Sequence, residues 1–365
     1  MQNETGFRLG SRVYQPSDFV CLWEDSVIPQ EKMAAVTRGL SEAFGAPGFN
    51  DVLALTRGRS SALVFRIVVR GTPYLLRIIM RADDPTRHFA CMRAAAEAGL
   101  APRVRYTSVD DRISITDFVE AIPFSRTEAL LRMPAMLRAL HALPPFAGVE
   151  DHLNTTCMFL MNPGPAVDRF ITRFQSANIV STAECAELLA RHAEVSAAYP
   201  RDAAAMVSSH NDLFKPDNIL FDGDRVWLVD WEAAFRNDRY ADLAVLANLI
   251  VADEAEERAY LEAYLGQPAD EYQLARFFLM RQITHIFYAM VFLTLGSSGK
   301  PLDRSAERLG FADFNRQFWA GEFDLEESER KTLYGRVHLE RLLHDVQQPR
   351  FNEALRIVSA RNGRT

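Results

Sequence analysis

The chain has 365 residues, 48% of them apolar and 24% charged, with a net charge of −7. That is an ordinary globular composition with ample length for a core, and its negative balance argues against a nucleic-acid binder, whose affinity rests on cationic contacts to phosphate. No continuous apolar run reaches the roughly 20 residues of a helical membrane span, so no membrane partner is expected. The start, MQNETGFRLGSR, lacks the charged-then-apolar order of a secretory signal. Cys21, Cys91, Cys157 and Cys185 are scattered, with no C-x-x-C pair and no zinc spacing. They predict free thiols and a reducing, cytoplasmic setting.

The segment before Pro29 carries Val13, Tyr14, Phe19, Val20, Leu22 and Trp23, too apolar for a free tail, and predicts a packed extension. Pro29 to Phe44 predicts a helix, with Met33, Val36, Leu40 and Phe44 at helical spacing. From Val52 the period changes. Val52–Leu55, Leu63–Val69 and Tyr74–Met80 read as a β-meander, with a tight turn over 56–61. A helix over Thr86–Ala98, closed by Gly99 and Pro102, precedes a hairpin of Val104–Tyr106 and Ile113–Val119. Ala121-Ile122-Pro123 reads as a hinge. Beyond it the pattern is helical: Pro134–Leu143 with Pro134 in the first turn, Asp242–Ala252, Glu254–Leu265, Glu271–Leu295, Glu326–His344 and Pro349–Ser359. The expected class is α+β and bilobal: 1–120 as an extension and small β-rich lobe, 121–365 as a large helical lobe, with the active site in the cleft.

One stretch interrupts the helices: SHNDLFKPDNILFDGDRVWLVDWE, Ser209 to Glu232. Asp212 stands beside His210 and Asn211 in a polar loop. Asn218 closes that loop and leads into the apolar Ile219-Leu220-Phe221. Asp222-Gly223-Asp224 is a hairpin turn signal, and Asp230 ends the second apolar run. Two carboxylates and a carboxamide at strand ends suit metal-dependent phosphoryl transfer. One carboxylate accepts the proton of an attacking hydroxyl, and a hard-oxygen pair holds Mg²⁺ on nucleotide phosphates.

The stretch resembles the catalytic core of the aminoglycoside phosphotransferase and choline/ethanolamine kinase superfamily, with its H-x-D-x-x-x-x-N and D-x-[DE] signatures and protein-kinase-like fold. HND, then DWE, then NDRYADLA recur in the order of bacterial choline kinase-like proteins. The resemblance implies ATP and Mg²⁺ as cofactors, Asp212 as catalytic base beside His210, and Asn218 and Asp230 as metal ligands. Lys215 is placed either to reach the γ-phosphate or as a surface lysine. Five residues separate Asp212 from Asn218 where the family has four, which predicts a one-residue bulge at Phe214 or Lys215. On the nucleotide side, Gly58, Ser60 and Ser61 occupy the place of the family's phosphate loop. Arg77 takes the place of the strand cation, and Asp117-Phe118-Val119 offers backbone to adenine. His88 falls where the family helix carries the glutamate that orients this cation. Asp83, Asp84 or the DWE carboxylates are the candidate replacements.

On the acceptor side, Glu232 is expected on the strand face of Asp230, touching metal or an acceptor amine. Asp242 is expected to brace the catalytic loop, and His141 to be a satisfied interior histidine. Tyr288 keeps one aromatic of the family's choline-binding helix, with Val291 in place of the second and Phe287, Phe292, Phe314 and Trp319 available to compensate. Together, Glu232, Asp238, Asp242 and Tyr288 predict a cationic, amine-bearing acceptor. Two alternatives stay open: a kinase for an aminoglycoside, sugar or thiamine-like compound, and a non-catalytic nucleotide-binding regulator. The oligomeric state is not legible.

Overall fold

The computed structural model describes residues 7–9, 12–14, 27–55, 62–146, 165–200, 206–303 and 309–362. They fall into two compact units. The first comprises 1–124, 145–151 and 217–234; the second comprises 125–144, 152–216 and 235–365.

The first unit is built on a five-stranded antiparallel sheet. Its strands are β3 (Asp51–Ala54), β4 (Ala62–Val69), β5 (Thr72–Ile79), β6 (Val104–Ser108) and β7 (Ile113–Asp117), in spatial order β3-β4-β5-β7-β6. A short ribbon of β1 (Phe7–Leu9) and β2 (Arg12–Tyr14) precedes it. The period of two sorts the central strand: Leu76 and Ile78 are fully buried and pack with Val36 and Leu40 of helix α1 (Gln30–Phe44). Leu75 and Arg77 face the other way, into a cavity also lined by His88 of α2 (Thr86–Glu97). A second hairpin, β9 (Ile219–Phe221) and β10 (Val226–Leu228), belongs to this unit. It is joined by Leu228 N–H donating to the Leu100 carbonyl, and by the Ile122–Phe221 bridge.

Among its described residues the second unit is helical, with one two-stranded ribbon of β8 (Met206–Ser209) and β11 (Phe235–Asp238). Its helices are α3 (Arg126–His141), α4 (Pro165–Ser176), α5 (Thr182–Ala198), α6 (Arg239–Ile250), α7 (Glu254–Leu265), α8 (Glu271–Gly296), α9 (Phe311–Trp319), α10 (Ser328–Asp345) and α11 (Pro349–Asn362). Pro134 does not open a helix as the sequence predicts. It lies inside α3, which starts at Arg126 because the Ser125 side chain accepts the Glu128 N–H. Helices α4, α5 and α9 and the β8–β11 ribbon were not foreseen. Helix α5 carries a full capping box, Ser181 with Glu184, that was legible as S-x-x-E. The expectation that no segment is apolar enough to cross a bilayer also needs correction. By length and average composition α8 is long and apolar enough to do so. Most of that helix is buried, 78% of its most apolar window being covered.

Helices α8 and α10 cross at two glycines. A Cβ on Gly335 would lie 2.6 Å from the backbone nitrogen of Leu293, and one on Gly296 would strike the backbone of Thr332. This near approach stacks the aromatic residues that the two helices share. Among the described residues Cys91 and Cys185 are free thiols; Cys21 and Cys157 lie outside them.

Gly335→Ala is expected to destabilise the protein by roughly 1–3 kcal/mol through overpacking, even though alanine gains about 1 kcal/mol in helix propensity. A denaturant midpoint at or above wild type would contradict the close crossing.

Candidate active site

The cavity of the first unit holds about 250 Å³. Its walls are Val64, Leu75 and Arg77 from β4 and β5, Ser114, Thr116 and Asp117 from β7 with Phe118 and Val119 beyond it, His88 and Met92 from α2, and Leu220 and Leu228 from the second hairpin with Asn218 and Asp230 flanking it. Arg77, Asn218, Asp230, Asp117, Phe118 and Val119, singled out from sequence, therefore surround one space. Gly58, Ser60 and Ser61 lie outside the described residues.

Arg77 is the central charge. One guanidinium nitrogen stands 3.1 Å from Asp230 and another 3.4 Å from Glu232. The Glu232 carboxylate also accepts from Arg81 at 2.7 Å. Of the candidate replacements for the helix glutamate, Asp83 pairs with Arg81 at 2.6 Å and Asp84 accepts from Thr86. The carboxylates facing Arg77 are those of DWE. His88 supplies no negative charge: burial first, then Arg77, push its pKa down to about 3, so its ring is neutral.

Glu232 does not continue a strand. Asp230 takes a left-handed conformation, φ 66°, ψ 66°, and Trp231–Ala233 forms one turn of 3₁₀ helix. The same-face argument from strand period thus fails, and the turn instead aims Glu232 at Arg77. Aspartate tolerates the left-handed region better than most residues. The Nε of Arg77 and the Nδ1 of His88 are buried without hydrogen-bond partners among the described residues. A donor of Arg77 left unsatisfied in this cavity fits an anionic guest such as a nucleotide phosphate. One carboxylate and one carboxamide, Asp230 and Asn218, on the same wall match the sparse protein ligation of Mg²⁺, which keeps phosphate and water oxygens as its other ligands.

The helical unit carries the loop of Asp212. Asp242, on the first turn of α6, is buried and accepts the backbone N–H of His210 at 2.9 Å and of Asn211 at 2.8 Å. Asn211 has φ 66°, which lets both successive amides reach one carboxylate. Burial alone would raise the Asp242 carboxyl, but the hydrogen bond and charge of His141, with His210 and the Asn211 amide, hold it below the ordinary range. His141 in turn meets Tyr264 Oη at 2.8 Å. His210 is fully buried and enters this network through its backbone. Asp212 is nearly buried and accepts from Lys215 at 2.8 Å.

Phe214, read from sequence as a possible bulge, is half-buried and joins an aromatic cluster. Its ring centroid is 5.2 Å from Tyr288 and 5.4 Å from Phe292. Tyr334, from α10, closes the cluster at 4.7 Å from Phe292, and Phe314 joins it. Tyr334 was missed because its aromatic neighbours come from a distant helix. The phenols of Tyr288 and Tyr334 are pushed up by burial and by the charge of Asp212, among other groups. The Lys215 ammonium lies 5.4 Å from the Phe214 centroid. The carboxylates expected to attract a cationic acceptor are otherwise engaged. Glu232 faces Arg77 and Arg81, Asp242 holds the loop, and Asp238 is buried against Arg276 while capping α6.

An arginine-lined cavity beneath an antiparallel sheet and a braced Asp loop in a helical unit define a phosphotransferase of protein-kinase-like fold. The sequence matches the phosphotransferase enzyme family, APH, over residues 51–278, and the chain belongs to that family. No curated protein matches it. Among solved structures it resembles a choline/ethanolamine kinase family protein from Mesorhizobium loti, at 18% identity and TM-score 0.59, over 90% of this chain and 99% of that one. It also resembles choline kinase from Cryptosporidium parvum, at 12% identity and TM-score 0.61, over 85% and 92%. A third is spectinomycin phosphotransferase in complex with ADP and spectinomycin, at 13% and TM-score 0.51, over 83% and 98%.

Behind the aromatic cluster, His285 and His338 bring their Nδ1 atoms to 2.8 Å. Burial drives His338 down to about 3, and burial with the neighbouring His338 lowers His285. The unfolded chain takes up these protons near pH 6.5 and the folded chain does not. Their contribution to stability is therefore complete above about pH 6.5 and is lost as pH falls toward 3. His338→Gln is expected to reduce the loss of unfolding free energy between pH 7 and 4.5 by roughly 2 kcal/mol. Parallel pH–stability curves for the two proteins would contradict neutral burial.

Proposed function

We propose that the protein transfers the γ-phosphoryl group of ATP to a hydroxyl of a small amine-bearing alcohol, of the choline or ethanolamine kind. Asp212 takes the acceptor's proton, with its backbone held through Asp242. Arg77 binds phosphate oxygens, while Ser114, Thr116 and the Asp117–Val119 backbone frame the base. Asn218 and Asp230 would hold Mg²⁺, which when bound neutralises charge on the phosphates. The observation that carries the acceptor class is the surrounding of Asp212. A carboxylate beside the half-buried ring of Phe214, backed by Tyr288 and Tyr334, suits an ammonium group by charge and by cation–π attraction. The Lys215 ammonium already uses both the carboxylate and the ring face, so an amine of similar size fits that combination. The names of the choline and ethanolamine kinase neighbours agree with it.

Three measurements test this reading. Asp212→Asn is expected to lower turnover by about 10²–10⁴ with Mg·ATP affinity nearly intact; near-normal turnover removes Asp212 from the base role. Asp230→Ala is expected to abolish the Mg²⁺ dependence of ATP binding, which titration calorimetry with and without the metal reports. A coupled assay over choline, ethanolamine, aminoglycosides and sugar alcohols should show turnover with an amino alcohol. Phe214→Leu should raise the KM of that acceptor a few-fold, since one cation–π contact contributes about 0.5–1 kcal/mol. Reaction with neutral polyols alone would overturn the acceptor class and leave phosphoryl transfer standing.

A further inference from the structure

The helix that flanks the cavity carries His88 where the family resemblance implies an acid, yet Arg77 is still held by carboxylates. Arg77 lies between two carboxylates, Asp230 at 3.1 Å and Glu232 at 3.4 Å. Asp230 is the group proposed for metal, so its charge is shared once Mg²⁺ arrives. Glu232 is the partner that metal binding leaves to Arg77. Its position is fixed from three sides. The left-handed Asp230 starts the 3₁₀ turn that lifts it off the strand, and Arg81 donates to its carboxylate at 2.7 Å. Arg87, on α2, donates to the backbone carbonyls of Glu232 and Ala234, each at 2.7 Å. Helix α2 therefore still governs the phosphate-binding cation, but by a reversed route. The helix sends an arginine to the turn, and the turn returns a carboxylate to the strand. The neutral His88 ring is compatible with this, because a carboxylate there would put a third negative charge beside one arginine.

Resting on the phosphotransferase reading, we infer that Glu232 is the positioning residue that orients Arg77 for nucleotide phosphates, in place of the acid missing from α2, and is not an acceptor ligand. Glu232→Gln is expected to weaken Mg·ATP binding about tenfold, the effect of losing one charge-assisted contact on Arg77, while the acceptor KM stays at its wild-type value. The double variant His88→Glu with Glu232→Gln should recover most of that affinity, because it returns a carboxylate to Arg77 from the helix side. General loosening of the fold would not produce such a rescue. If Glu232→Gln does not fold, Glu232→Asp keeps the charge, shortens the reach by one methylene, and should show a smaller loss in the same direction. Unchanged ATP affinity, a rise confined to the acceptor KM, or no recovery in the double variant would each overturn the inference. Failure of the wild-type protein to bind Mg·ATP at all would instead overturn the phosphotransferase reading, and this one with it.

Discussion

A guanidinium placed on the middle strand of a small sheet must be balanced, and in the first unit much of the local structure serves that requirement. Arg77 cannot retreat into the core, because its strand neighbours Leu76 and Ile78 already fill the α1 face. It projects into a cavity where its side chain is only 16% exposed and an unopposed charge is costly. The opposing charge comes from the DWE turn, which reaches it only because Asp230 adopts a left-handed backbone and Arg87 pins the carbonyls that follow. Sheet, helix and hairpin are thus tied by one balanced cluster of charges, and those groups surround the space available to a polyanion.

The helical unit solves a related problem with buried carboxylates. Asp242 and Asp238 are each removed from water and each compensated, one by two backbone amides and His141, the other by Arg276 and the Tyr240 amide of α6. Breaking either arrangement would leave a buried charge without its donors, a much larger penalty than the net gain from making it. The first holds the Asp212 loop in place. The glycine crossing of α8 and α10 then decides which rings stand near that loop, since only residues without a Cβ allow the two backbones so close.

Periodicity made most of the fold legible. The five strands of the sheet, helix α2 and the long helices after residue 238 lie within a few residues of where the pattern put them. The hidden elements had weaker local signals. Helix α9 is short, and the strands β8 and β11 are pairings between segments far apart in sequence. Pro134 misled because a proline inside a helix and one at its start look the same until the Ser125 cap is recognised.

For the candidate site, sequence alone determined the chemical inventory: an ordered set of Asp212, Asn218, Asp230 and Arg77, a histidine, His88, where the family pattern has a helix acid, and one more residue between Asp212 and Asn218 than that pattern has. Those are facts of composition and order, and they sufficed to name the family. Only tertiary structure decided how the charges pair. Glu232 turned toward Arg77 because a left-handed residue broke the strand period. Asp238 and Asp242 were committed to arginine and backbone instead of to an acceptor. Phe214 was recruited, with Tyr334 from a helix far along the chain, into one aromatic cluster. Pairing depends on distances in space between groups remote in sequence, and no local pattern of residues encodes those distances.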